Sequence, residues 1–491
     1  MSSARPRVWW INVAGIAALA LGLRFYDLPR KPLHHDEGVN TLFVSNLVRP
    51  PHAYAYDPGN YHGPTLFYFG WLSVSLFGVN TGGIRMVTAV SGLALVALAF
   101  ALRDRLGTSG ALAAAASMAS SPGAVYYSRY FIHETVLVCS TLAAIVGLTF
   151  WWSRRRSIYL YAAATAIGVM FATKETAFIS AAVIAFAAIG SAVLAEMAPI
   201  AQARSFLASI RARGGVPLLS RAALLAVAVA MLFYTSFLTY PPGSIAALKT
   251  FAIWTKTGTT AHTHPWYAYL KWLTIEEWPL VSIAAVGVVV ALIRRRDRFA
   301  SFVALWAIGI VAAYSAIPYK TPWLVLNMIL PLALCAGVAF ERVWSRPARA
   351  APLLGWAVLV AVTIAATSRA VSLSFWQYDN DRSPYVYAHT LRDVLQLVRG
   401  VDRVQAAHPG TAIAVVSADY FPLPWYFRDY PTGYYRVRST KAPIVVGSVD
   451  QQPALDSWLG SDYHLTGSYW LRPGVRLLLY VRRDLTGPAG D

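Results

Sequence analysis

The run VWWINVAGIAALALGLRF at 8–25 leads within a few residues into KPLHHDEGVN at 31–40. The first stretch has the length and apolarity of a membrane-crossing helix, which needs about 20 residues. The second packs Lys31, His34, His35, Asp36 and Glu37 into one short polar segment. Ionisable groups at the mouth of a hydrophobic helix are costly to keep there and mark function or a cavity. This junction reads as a membrane protein with chemistry placed where its first span ends.

The rest of the chain agrees. It has 491 residues, 57% of them hydrophobic and only 13% charged, where soluble proteins carry about 25% charged residues. The net charge of +19 would suggest nucleic acid in a soluble protein. Here the excess sits in short Arg-rich hinges between apolar runs, where positive charge sets topology and meets anionic headgroups, so no nucleic-acid partner is expected. Cys139 and Cys335 both fall in apolar runs and read as small buried hydrophobes. The 8–25 run lacks a small-residue cleavage site before the polar loop and reads as a retained span rather than a signal peptide.

Apolar runs recur at 84–102, 110–126, 133–152, 158–173, 176–196, 220–238, 278–293, 299–317, 323–340 and 351–368, which with the first gives about eleven spans. The segment 64–77 is apolar but shorter, and suits an interfacial or re-entrant helix. Arg5 and Arg7; Arg103 and Arg105; Arg154, Arg155 and Arg156; Arg204, Arg211, Arg213 and Arg221; Arg294, Arg295, Arg296 and Arg298; and Arg342, Arg346 and Arg349 then all fall on one side. That side is cytoplasmic by the positive-inside rule. The N-terminus is therefore expected in the cytoplasm, in a chain integral to the plasma membrane. The HHDE loop and the tail are expected outside it.

Two domains are expected: a transmembrane part at 1–368 with a first outer loop at 25–83, and an extracytoplasmic α/β domain at 369–491. In the tail, Leu391, Val394, Leu395 and Val398 have helical spacing. TAIAVVS, APIVVGS and VRLLLYV, at 411–417, 442–448 and 475–481, read as strands.

Polar residues concentrate at the expected outer ends of spans. In HHDE, adjacent carboxylates suit a general base with its partner, or metal ligation with histidine; the plain alternative is acids at a helix N-terminus. In YDPGNYHGPTLFYF at 56–69, Asp57 and His62 flank glycines and either shape a substrate site or make a turn. In YYSRYFIHETVL at 126–137, Arg129 offers a phosphate ligand and Glu134 an ion-pair or metal partner, against a junction of snorkelling side chains. Lys174 and Glu175 interrupt an apolar run, and the plain reading is a local ion pair. Lys320, between Tyr319 and Trp323, suits a lipid-linked phosphate or simple interfacial anchoring. The loop holding His262, His264, Glu276 and Glu277 reads as a wall or gate. No phosphate-binding P-loop, dinucleotide fingerprint or nucleophile elbow occurs, so no nucleotide cofactor is expected and an activated substrate would arrive on lipid.

In combination, the DE pair after the first span, GPTLFYF, RMVTAVSGLALVALAFAL, SPGAVYYSRYFIHET and ATKETAF resemble the glycosyltransferase C superfamily, in particular protein O-mannosyltransferases and aminoarabinose transferases. HHDEGVN with YHGPTLFYF, SPYVYAHTLRDV and PLPWYFRDY is similar to a narrower branch labelled flippase-activity-associated proteins of prokaryotic N-glycosylation loci. The resemblance implies a polytopic α-helical fold and transfer of a sugar from a polyprenyl-phosphate donor to a protein, glycan or lipid acceptor outside the cell. It implies Asp36 as the base and Glu37 as its neighbour positioning the acceptor or a divalent ion, Mg or Mn. Glu134, with His35 and Asp57, would be the metal or acid partners. Arg129, Lys174 and Lys320, with His62 and Tyr319, would meet the phosphate. Relatives often carry Lys-Pro-Pro where this chain has His62-Gly63-Pro64, which removes a cation. A lipid-linked sugar flippase and a non-catalytic assembly partner are the competing readings; the former usually shows internal repeats and midplane charge, and the sequence shows neither.

Overall fold

The computed structural model describes residues 6–50, 52–60, 62–195, 208–257, 262–344, 351–438 and 440–485. Of the hinge arginines, Arg5, Arg204, Arg346 and Arg349 lie outside the described residues. The chain divides into two compact units. A helical unit gathers Met1–Leu28, His52–Gln377 and Ser383–Tyr385, and a sheet unit gathers Pro29–Pro51, Tyr378–Arg382 and Val386–Asp491. The HHDE segment, expected in an outer loop of the membrane part, thus folds with the tail.

Among the described residues of the helical unit, 8 helices are long and apolar enough to cross a membrane: Arg7–Phe25, Thr81–Ala101, His133–Arg154, Ala177–Ala195, Gly215–Tyr234, Arg298–Ala316, Pro322–Arg342 and Leu353–Trp376. A ninth forms if Ala268–Glu276 and Trp278–Ile293, bent by 112°, are one span. The expected count of about eleven was higher for local reasons. The 110–126 run is split, because Ser121 ends the helix Thr108–Ser120 and caps a new one, Pro122–Ser128, that starts on proline. Ser157–Thr173 has only 17 residues, the lower limit for a crossing. The apolar stretch after Pro64 forms the 13-residue helix Thr65–Phe77. Large side chains stand exposed on the long helices, Phe186 at 75% and Leu353 at 77% among them, as faces turned to lipid tails would be.

Buried cations tie helix ends together. Arg24 donates to the carbonyls of Met118 and Ala119 at 2.8 and 3.0 Å, at the end of Thr108–Ser120. Positive charge at a helix C-terminus meets its unpaired carbonyls and its dipole.

The sheet unit holds a five-stranded sheet in the order β2-β1-β3-β5-β4. Its strands are β1 Ile413–Val416, β2 Thr432–Tyr435, β3 Ile444–Ser448, β4 Tyr463–Arg472 and β5 Val475–Arg482. β1 pairs in parallel with β2 and β3, and β5 runs antiparallel to β3 and β4. Alternation puts Ile413, Val415, Ile444 and Val446 on one face against Leu397 and Val401 of the helix Val394–Ala407. Ala414, Val416 and Val445 take the other face with Leu455 and Leu459 of Gln452–Leu459. The sequence reading located β1, β3 and β5 but not β2 or β4, which are only partly buried and carry less of the apolar signal.

Candidate functional site

The helical unit builds a buried charge cluster around one turn. The helix Ser157–Thr173 ends on extended Lys174, and Ala177–Ala195 begins three residues on. The Lys174 ammonium pairs with Glu134, which lies in the first turn of His133–Arg154. Both side chains are almost wholly buried. Burial works against the Lys174 charge, but Glu134 and Glu175 outweigh it and its pKa rises. The next residue, Glu175, meets His62 Nδ1 at 3.0 Å. Burial pushes the Glu175 carboxyl up, while His62, by charge and hydrogen bond, and then Lys174 bring it below the usual carboxylate range.

The His62 loop is strapped onto the same turn. Gly63 N–H donates to Thr173 O at 3.1 Å, and His133 Nε2 donates to Gly63 O at 3.2 Å. A Cβ at position 63 would overlap the Ala172 carbonyl, so only glycine permits this approach. His62, Lys174, Glu175, Thr176, Tyr314 and Tyr319 line a pocket, with Trp254 on its wall. Trp254 and Tyr314 had no sequence signal beyond being aromatic in a greasy chain.

Other expected ligands are committed elsewhere. Arg129 does not face Glu134: its guanidinium donates to the carbonyls of Leu23, Arg24, Tyr26 and Asp27 at 3.2, 3.2, 2.8 and 2.7 Å. It also lies 4.4 Å from the Phe375 ring centre. It closes the end of the first helix, which corrects the expectation of a phosphate ligand. Lys320 donates to the carbonyls of Ser315 and Ile317, at the end of Arg298–Ala316, and burial lowers its pKa; it too is a helix cap. Glu276 is held by Arg369 at 2.7 and 2.8 Å and by Ser383 at 2.6 Å. Glu277 accepts from Gly123 N–H at 2.6 Å and Ser121 Oγ at 3.0 Å. These acids of the expected gate instead lock the break between two helices.

In the sheet unit, the helix His35–Val48 opens with a reciprocal cap. His34 Nδ1 accepts the Asp36 N–H at 3.1 Å, and Glu37 Oε2 accepts the His34 N–H at 2.8 Å. Glu37 is fully buried in this role. Asp36 is half-buried, and no hydrogen bond reaches its carboxylate among the described residues. The tail fixes the helix. Tyr426 Oη accepts Leu33 N–H at 2.9 Å, His34 Nε2 donates to Tyr387 O at 2.9 Å, and Arg49 binds Asp429 at 2.6 Å. His35 sits edge-on to Phe421 at 5.4 Å and receives Arg472 Nη1 on its Nδ1 at 3.3 Å. Arg472 Nη2 donates to Asp419 at 2.7 Å. Tyr387 and Arg472 escaped the sequence reading, because nothing local links them to residues about 350 to 440 positions earlier, and Asp419, the partner of Arg472, escaped it with them.

Glu134, His35 and Asp57, expected as metal or acid partners, each make another contact. Glu134 is paired with Lys174, and His35 Nδ1 is taken by a guanidinium. Exposed Asp57 accepts the Gly59 N–H at 2.8 Å in a turn. No group of three His, Cys, Asp or Glu side chains suited to a metal occurs among the described residues, so no step below passes through one.

Residues 61–212 match the family model for dolichyl-phosphate-mannose-protein mannosyltransferases. His62, Glu134, Lys174 and Glu175 fall inside that stretch. ArnT from Cupriavidus metallidurans bound to undecaprenyl phosphate is similar with a TM-score of 0.67 and 16% identity, covering 99% of this chain and 100% of that one. Its apo form gives 0.68 and 15%, over 98% and 99%. The Archaeoglobus fulgidus oligosaccharyltransferase tethered with an acceptor peptide containing the NVT sequon gives 0.58 and 13%, over 91% and 70%. No curated protein sequence matches the chain. The fold is shared with ArnT and the archaeal oligosaccharyltransferase. The protein is integral to a membrane.

Proposed function

We propose that the protein moves a sugar from a polyprenyl-phosphate carrier to a hydroxyl- or amide-bearing acceptor outside the plasma membrane, with Asp36 as general base. One observation carries this reading. Of the two adjacent acids, Glu37 is spent on the helix cap, while Asp36 stands on the same fixed turn with its carboxylate unbonded among the described residues. A base needs a fixed position and an open lone pair.

In the proposed step Asp36 takes the acceptor proton as the acceptor atom attacks the anomeric carbon. The bond from that carbon to the phosphate oxygen breaks, and polyprenyl phosphate leaves with the electron pair. A single displacement inverts the anomeric centre. The transition state is oxocarbenium-like, and the leaving phosphate needs positive or donor groups. His62 and Tyr319, which line the pocket of the helical unit, are proposed to meet the carrier phosphate; Lys174, paired with Glu134, is dropped from that role with Arg129 and Lys320. The binding of undecaprenyl phosphate by ArnT supports the donor class. The cytoplasmic N-terminus and outward sheet unit follow from the arginine hinges and belong to this proposal.

The test uses purified protein in lipid with radiolabelled polyprenyl-phosphate hexoses and a mixed acceptor extract. Transfer by wild type that collapses in Asp36→Asn, with the fold intact, supports the reading. Absence of transfer with every donor, together with movement of labelled lipid between leaflets, replaces it with a flippase.

A further inference from the structure

The pocket of the helical unit is lined by two hydroxyls that the fold itself does not use. Thr176 and Tyr314 are 4% and 1% exposed, both line the pocket, and their side chains lie beside each other. Neither Thr176 Oγ1 nor Tyr314 Oη makes a hydrogen bond of good geometry among the described residues. Buried polar side chains are nearly always paired, so an exception needs a reason. Valine and phenylalanine would fill the same space without leaving two hydroxyls unsatisfied.

Size limits what can satisfy them. The cavity has a volume of about 20 Å³, and one water-sized group needs about 10–15 Å³. A single hydroxyl fits; a whole sugar ring does not. Ile179, Ile317, Leu324 and Trp254 close the pocket with apolar surface. His62 and Tyr319, assigned above to the carrier phosphate, line the same pocket. In a polyprenyl-phosphate sugar the phosphate is bonded to the anomeric carbon, so side chains beside the phosphate site meet the hydroxyls of the sugar. We propose that Thr176 and Tyr314 are specificity-determining residues for the donor: together they bind one hydroxyl of the transferred sugar and reject a donor that lacks it. A hydroxyl has one hydrogen to donate and two lone pairs, so it serves both side chains at once. A donor deoxygenated at that position strands both, and a site built to bond a hydroxyl rejects the analogue without it by orders of magnitude. The inference rests on the polyprenyl-phosphate reading of this pocket and adds which feature of the sugar is read there.

The experiment uses the full-length protein in lipid with the labelled polyprenyl-phosphate hexose it transfers and the analogues of that donor lacking one ring hydroxyl each. Wild type is expected to disfavour one analogue by about 100-fold or more in kcat/KM and to accept the others far better. Tyr314→Phe and Thr176→Val each remove one oxygen and little else. Each should lower that ratio about tenfold, by slowing the parent donor and sparing the deoxy one, and the double variant should lose the discrimination. A merely structural role would slow all donors alike. Wild type that takes every analogue equally, or a double variant that discriminates as wild type does, overturns the proposal. Competition of the same analogues against the labelled donor for binding to Asp36→Asn gives a readout without turnover, and the same analogue should compete poorly. Binding that ignores every deoxy position removes this inference alone. Failure to bind any polyprenyl-phosphate hexose removes the donor reading, and this inference with it.

Discussion

The His34 backbone N–H donates to Glu37 Oε2 at 2.8 Å, so the second acid of HHDE closes the turn on which the first acid stands. The two carboxylates are neighbours in sequence and have separate work. Asp36→Asn is expected to lower transfer by about 10²–10⁴-fold with the melting temperature unchanged. Glu37→Ala is expected to cost about 1 kcal/mol of stability with a smaller loss of rate. Melting curves beside transfer assays on the two variants separate the roles; the opposite pattern would exchange them.

Lys174 and Glu134 form an ion pair shut away from water. Removing one partner of such a pair strands the other charge and costs about 3–5 kcal/mol. Lys174→Met and Glu134→Leu should each lower thermal stability strongly, and the double variant should recover most of the loss. Additive losses in a double-mutant cycle would show that the two side chains do not depend on one another.

Arg129 serves the end of the first helix through backbone carbonyls. Arg129→Gln should therefore lower the melting temperature and leave the donor KM of the folded fraction unchanged. A raised donor KM at unchanged stability would return Arg129 to the phosphate.

Glu175 has a folded-state pKa below its ordinary value. A depressed carboxylate contributes stability above its unfolded value of about 4.3, and the contribution fades as pH falls through the lower folded value. Glu175→Gln should accordingly be less stable than wild type at pH 7, with the gap closing below about pH 4.3. Melts taken in steps from pH 7 to 3 check this; a gap that stays constant would mean that ionisation of Glu175 contributes nothing.

Gly38 lets the HHDE helix approach the tail. A Cβ there would sit 2.8 Å from Pro422 Cα, closer than carbon atoms pack. Gly38→Ala should move the helix off its seat and reduce transfer more than Asp36-independent binding of the lipid carrier. Equal transfer by Gly38→Ala and wild type would show that the seat has no bearing on the site.

Much of this was legible in the chain. The long apolar runs declared a polytopic helical protein because helix periodicity and length are local properties. HHDE and TKET declared themselves because charge beside a span is expensive. The same logic overstated Arg129 and Lys320. A buried cation in sequence looks alike whether it meets a ligand or the carbonyls at a helix end, and only the fold tells which. Glu134 and His35, expected as metal or acid partners, each contact a cation that the sequence does not place beside them.

The sequence by itself determined the helical class, the position of the first acidic cluster, three of the tail strands and the turn that bears Lys174 and Glu175. These depend on residues within a few positions of one another. Tertiary structure alone decided that the HHDE helix folds with the tail, that Lys174 answers Glu134, and that Arg472 reaches His35. Each of these last two contacts satisfies a buried or half-buried polar group. Such a group must find a partner wherever the chain brings one, so its choice is made by packing rather than by the residues beside it.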